Sequence, residues 1–179
     1  MKKAFLVMLV LSPIFSANFA FCESKGSSLE KQLFDKGNEL YKVSRDLAAL
    51  KEDLVAEYAE TPSTSQLHKI KMAVQKMALS RRVSFLTSLG IRDISIIPDE
   101  LKDDWCRGQK TAIDTSIKWT ENDFKAINSL QGSIKNEKAS MIMKKGAEQM
   151  HAAIVTYRQC SELLSKIMEQ KKPIKNPKP

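Results

Sequence analysis

The side chains of this sequence best equipped for chemistry are its cysteines, its two histidines and a group of methionines in the last third. Cys106 and Cys160 stand on either side of the breaker pair Gly132-Ser133, 26 residues before the glycine and 27 after the serine. If the chain folds back there as two antiparallel helices, both sulfurs reach the same height. The spacing therefore predicts a Cys106–Cys160 disulfide joining the open ends of a long hairpin. Closing a loop of that length would stabilise the fold by about 4 kcal/mol on the chain-entropy account.

The other groups are poorly placed for catalysis or metal binding. Glu148-Gln-Met-His151 matches one Glu-x-x-His element of a carboxylate-bridged di-metal bundle. Such a site needs a second element, and His68 is preceded three residues earlier by Ser65. Met141, Met143 and Met150 are thioethers that suit a soft metal. Met141 and Met143 point to nearly opposite sides of a helix, however, and Met143 and Met150 fall on a packing seam, where methionine fills space. Nucleophilic catalysis wants a nucleophile, a base and an orienting group in one cleft. No glycine-rich phosphate loop, Gly-x-Ser-x-Gly, His-Glu-x-x-His or Cys-x-x-Cys supplies a start. The expectation is no catalytic site, no metal and no cofactor.

What remains is binding. Trp105 and Arg107 flank Cys106, with Trp119 further along the same helix. Tryptophan and arginine are common anchors of protein interfaces, so these three are the candidate partner-binding residues. Arg81, Arg82, Lys135, Lys138, Lys144, Lys145, Lys171 and Lys172 are read as one basic face and end, suited to an anionic surface.

The N-terminus bears on which surfaces the chain would meet. Met1-Lys2-Lys3 precedes an apolar run from Ala4 to Phe15, followed by Ser16, Ala17 and Ala20. A positive start, a short apolar stretch and small residues at the exit read as a bacterial-type signal peptide over 1–22, too short to span a membrane. Cleavage after Ala20 and cleavage after Cys22 both fit. Phe21 stands where a lipobox needs a small residue before Cys22, which argues against a lipid anchor there. Removing residues 1–22 leaves 157 of the 179 residues, enough for one domain. It also lowers the formal charge from +8 to +6, since Lys2 and Lys3 leave and no acid does. In an exported protein this balance points to anionic lipid, wall polymer or an acidic partner rather than to nucleic acid.

The elements that must position these residues keep helical time. Residues 23–28 are polar and read as a flexible linker, with Ser27 and Glu30 as a capping box. Leu33, Leu40, Leu47 and Leu54 recur every seven residues, with Val43 and Leu50 between them. After Thr61-Pro62, a second helix carries Leu67, Ile70, Val74, Met77 and Phe85 on one stripe and Leu79, Val83 and Leu86 on another. Two stripes imply more than one neighbour. Leu89-Gly90-Ile91 reads as a Schellman ending, and residues 91–97 as an extended connector whose isoleucines plug the end of the bundle. Pro98 starts a third helix with Leu101, Trp105, Ala112, Ile113, Ile117, Phe124, Ile127 and Leu130 on its buried side. Beyond Gly132-Ser133, Met143, Ala147, Met150, Ile154, Tyr157, Ser161, Leu164 and Met168 form a fourth seam. Residues 171–179 are rich in proline and lysine and read as a disordered basic tail.

The fold class is thus all-α: an elongated antiparallel four-helix bundle over 29–170, two helical hairpins held by one disulfide. The functional expectation is a periplasmic or secreted, non-catalytic helical binding or adaptor protein contacting another cell-envelope protein. A small-ligand or stress-sensing bundle and a membrane- or wall-docked protein are the alternatives. The heptads leave a homodimer open.

Overall fold

Four helices form where the periods place them: α1 (Ser28–Ala59), α2 (Thr64–Arg92), α3 (Lys102–Gln131) and α4 (Glu137–Gln170). The computed structural model describes residues 28–59, 61 and 63–170. The expected signal peptide 1–22 with Cys22, residues 23–27 of the expected linker, and the expected tail 171–179 with Lys171 and Lys172 lie outside the described residues. Ser28, expected in the linker, is the first residue of α1.

The short connections make successive helices antiparallel. α1 packs on α2 and α4, and α3 packs on the same two, so the helices close a four-membered ring. α2 and α4 run parallel across its diagonal. They touch where α4 has no side chain: a Cβ on Gly146 would run into Met77 of α2. Gly37 plays the same part between α1 and α2, since a Cβ there would lie 2.6 Å from Arg92 Cγ and 3.3 Å from the Ser88 carbonyl.

Two of the four seams are those the sequence shows. Leu33, Leu40, Leu47 and Leu54 are fully buried in α1. In α4 the seam from Met143 to Leu164 is buried throughout, and Met168 packs against it. The ends are tied by polar contacts. Lys102, at the start of α3, reaches Glu30 of α1 at 2.8 Å and Asp99 at 3.0 Å. The Glu30 carboxylate, and secondarily Asp99, holds the Lys102 ammonium above its usual range. At the other end Asn136 caps α4, its Oδ1 accepting the Ala139 N–H at 2.9 Å. Glu57 of α1 receives Lys138 at 2.6 Å and the Asn136 amide at 3.3 Å. Gln66 and Lys69 of α2 donate to the Ser133 carbonyl.

Three expectations are corrected. Residues 91–96 are not extended, and only Ile97 is. α2 continues through Gly90 to Arg92, and a 3-10 turn covers Asp93–Ile96. Ile91 and Ile94 do plug the bundle end, but Ile96 is 75% exposed. Burial of those two isoleucines on a helical face outweighs the strand preference of β-branched residues. The third helix begins at Lys102, not at Pro98. Pro98 opens a turn, with the Leu101 N–H on its carbonyl at 3.0 Å, and this leaves Leu101 exposed.

The disulfide is the third correction. Cys106 and Cys160 are both buried and are not bonded to each other. The chain reverses through residues 132–136, not at one dipeptide, because α4 starts only at Glu137. Phe124 therefore lies against His151, and Lys110 against Ser161. On that register the residue level with Cys106 is near 168, leaving Cys160 about 12 Å away along the axis at about 1.5 Å per residue. That is beyond the reach of a disulfide, whose Cα atoms must lie within about 7 Å.

Candidate functional site: the outer face of α2

α2 is built against the usual rule. Its inward positions include Ile70, Ala73, Met77 and Ile91, but also Ser80, Ser84 and Ser88, all buried. Its outward positions include Leu79 at 42% exposure and Leu86 at 55%. The two sequence stripes thus have different fates. Ile70 and Met77 of the first enter the core, while Phe85 stays exposed. Val83 of the second is covered, whereas Leu79 and Leu86 face solvent.

The inward serines are retained because polar partners meet them. Ser84 and the Tyr157 hydroxyl share a hydrogen bond of 2.9 Å across the α2–α4 diagonal. Burial pushes the Tyr157 phenol up to about 12, against the opposing pull of that bond. Ser80 donates to Asp123 of α3 at 3.1 Å, and Lys76 pairs with the same carboxylate at 2.9 Å. Thr87 and Ser116 are 3.3 Å apart. Thr120 sits near Tyr157 with its buried oxygen completing no hydrogen bond. A Ser–Asp–Lys group could suggest hydrolytic chemistry, but Ser80 is only 1% exposed, so a substrate carbonyl has no approach to its oxygen. The layer acts as a set of pegs that fix the rotation of α2, since each buried hydroxyl needs its own partner.

With the serines inside, the leucines are outside, and both neighbours extend the apolar face. On the α1 side, Tyr41 stacks at a tilt on Phe85 with ring centroids 6.1 Å apart, and the Arg92 guanidinium lies 5.3 Å over the Tyr41 ring. Phe34, one heptad before Tyr41, is also exposed. On the α3 side, the Ser80–Asp123 and Thr87–Ser116 pairs set the register and put Trp119 level with Ser84, between Leu79 and Leu86. Trp119 is 54% exposed. Contiguous exposed apolar surface of this kind marks interaction sites.

The charge on this helix has one sign. Lys69, Lys71, Lys76, Arg81, Arg82 and Arg92 lie in α2, with no aspartate or glutamate from Thr64 to Arg92. Nearby acids of α3 are engaged elsewhere: Asp123 with Lys76, Asp114 with Lys110, and Glu121 with Arg158 of α4.

Of the residues singled out from sequence, Trp119 belongs to this face and Arg82 lies within it. Trp105 is half-buried against the core on the same flank, and Arg107 is exposed two residues further on, roughly across the helix. The three do not form one site. The basic residues also divide. Arg81 and Arg82 lie on α2, while exposed Lys144 and Lys145 lie on α4, diagonally opposite in the ring. Lys138 is occupied by Glu57, whose carboxyl it holds below the usual carboxylate range. Lys135 is exposed in the α3–α4 turn, its backbone N–H donated to Gln66. Among the described residues a single basic face is therefore not assembled. Sequence reasoning missed Leu89 and Tyr41, and the only clue to them was the excess of apolar positions on α2 over what one seam can bury.

Among the described residues no group of three or more His, Cys, Asp or Glu could hold a metal ion. No helix there is long and apolar enough to cross a membrane. No protein-family model matches the chain, and comparison with curated proteins and with solved structures returned no match.

Proposed function

We propose that this chain is a non-catalytic binding protein of the cell envelope that docks another envelope protein on the outer face of α2. One observation carries the reading: α2 keeps serines in the core and shows leucines to solvent. Leaving Leu79 and Leu86 about half exposed forfeits roughly 1 kcal/mol of burial for each side chain, which a partner recovers on binding. The one-signed charge of the helix makes that partner's surface acidic.

The compartment rests on residues 1–22 alone, since Cys106 and Cys160 do not bridge each other. N-terminal sequencing of the exported protein checks it: a mature chain starting at 21 or 23 supports export, and an intact Met1 opposes it.

Site-specific photo-crosslinking in cells expressing the full chain tests the docking. A crosslinking amino acid replaces Leu79, Leu86, Tyr41 or Trp119 in turn, all on this face. The reading expects a discrete protein adduct at one or more of these positions. Its absence at all four, with the protein folded and exported, would end it.

A further inference from the structure

The outward residues of α2 are not scattered. Met72, Gln75, Leu79, Arg82, Leu86 and Leu89 follow one another at steps of three and four. This is the spacing of a coiled-coil seam. It is the buried seam Ile70, Ala73, Met77, Ser80, Ser84 shifted by two residues. A shift of two residues turns the seam about 200° around the helix, so it points away from the core. α2 thus carries two seams, and the bundle uses one.

Resting on the binding reading above, we infer that the second seam takes one α-helix of a partner protein, a helix with apolar residues at heptad spacing and acidic residues on their flanks. Leu79 and Leu86 are one heptad apart, and Leu89 continues the three-residue step, so they offer knobs and holes to a helix laid alongside. Gln75 and Arg82 interrupt the apolar row where a facing helix can place a single polar or acidic residue, the device that sets register in coiled coils. Lys71, exposed, flanks the seam on α2. A partner with glutamates at its flanking positions meets it.

The same features disfavour the other occupants. A second copy would bring two helices together that each carry six cations and no acid. A lipid surface would need a continuous apolar strip, and Gln75 and Arg82 break this one.

The test uses three synthetic peptides of about four heptads. One has leucine at the seam and glutamate on the flanks, one has lysine in place of glutamate, and one is a scramble of the first. Titrated against the full chain without residues 1–22, the acidic heptad peptide is expected to bind at least about tenfold more tightly than either control. Leu86→Asp weakens it by about tenfold or more, and Arg82→Glu reverses the preference toward the lysine peptide. Val155→Asp, on the outer face of α4, leaves binding unchanged. Circular dichroism confirms that each variant is folded.

Equal binding of the scramble or of the lysine peptide overturns the inference. So does a dimer in sedimentation that Leu86→Asp dissolves, or binding to phosphatidylglycerol vesicles that Leu86→Asp abolishes while the peptides do not bind. If crosslinks to a discrete protein form from Tyr41 or Trp119 but not from Leu79 or Leu86, this seam is wrong and the binding reading stands. If no position yields one, both fall.

Discussion

Removing the Tyr157 hydroxyl tests which side of α2 faces the core. Tyr157 is fully buried, and Ser84 lies 2.9 Å from its oxygen. Tyr157→Phe leaves Ser84 in an apolar place without its partner, and Ser84→Ala does the same to the phenol. An orphaned buried polar group costs about 1–3 kcal/mol, whereas replacing both members of a pair by apolar groups can be nearly neutral. Thr120 and Thr87 stand near enough to Tyr157 to soften the loss, so the low half of that range applies, about 1–2 kcal/mol for each single change. In a domain of this size that lowers Tm by about 3–6 °C. The double variant should cost no more than either single one, giving a coupling of about 1–2 kcal/mol. Thermal and urea unfolding followed by circular dichroism at 222 nm measures all four corners of the cycle. Two neutral single variants, or strictly additive ones, would mean that Ser84 and Tyr157 do not meet. α2 would then be turned about its axis, its leucines would not face outward, and the docking surface would disappear with them.

Three further outcomes follow from the same geometry. Leu86→Asp and Leu79→Asp should each change stability by less than about 0.5 kcal/mol, since they lie outside the packing. Met77→Ala, one position from the serine layer, should cost about 2–5 kcal/mol, and urea midpoints separate the two classes. Gly146→Val should destabilise by about 1–3 kcal/mol through overpacking on Met77, and Met77→Ala combined with it should cost less than the two changes added. The buried Cys160 thiol should react with a maleimide only in denaturant. Burial pushes the Cys160 thiol from 9.0 up to about 12, so between about pH 9 and 12 the unfolded chain binds fewer protons than the folded one. Stability must then fall as pH rises through that window, and Cys160→Ala should flatten the decline. Tyr157 acts in the same direction over pH 10–12.

How much of this was legible in the residues differs from helix to helix. α1 and α4 were read correctly because their apolar residues occupy one stripe each, so period and burial coincide. α3 was read in part. Ile113 and Ile127 are buried, but Leu101 is exposed because Pro98 spends its first residues on a turn. α2 offered two apolar stripes, and the choice between them was decided by serines that look unsuited to a core. Asn136 was overlooked as a cap, which displaced the start of α4 and with it the register of the hairpin. That displacement is the whole reason the two cysteines were paired in error.

The sequence by itself determined the helices, their number and their antiparallel order, because periodicity and breakers are local properties of the chain. Only the tertiary structure decided the rotation of α2 and the height of Cys106 against Cys160. A helix carrying two seams can bury either one, and the preference comes from hydroxyl partners such as Tyr157 and Asp123, which lie 73 and 43 residues away along the chain from Ser84 and Ser80.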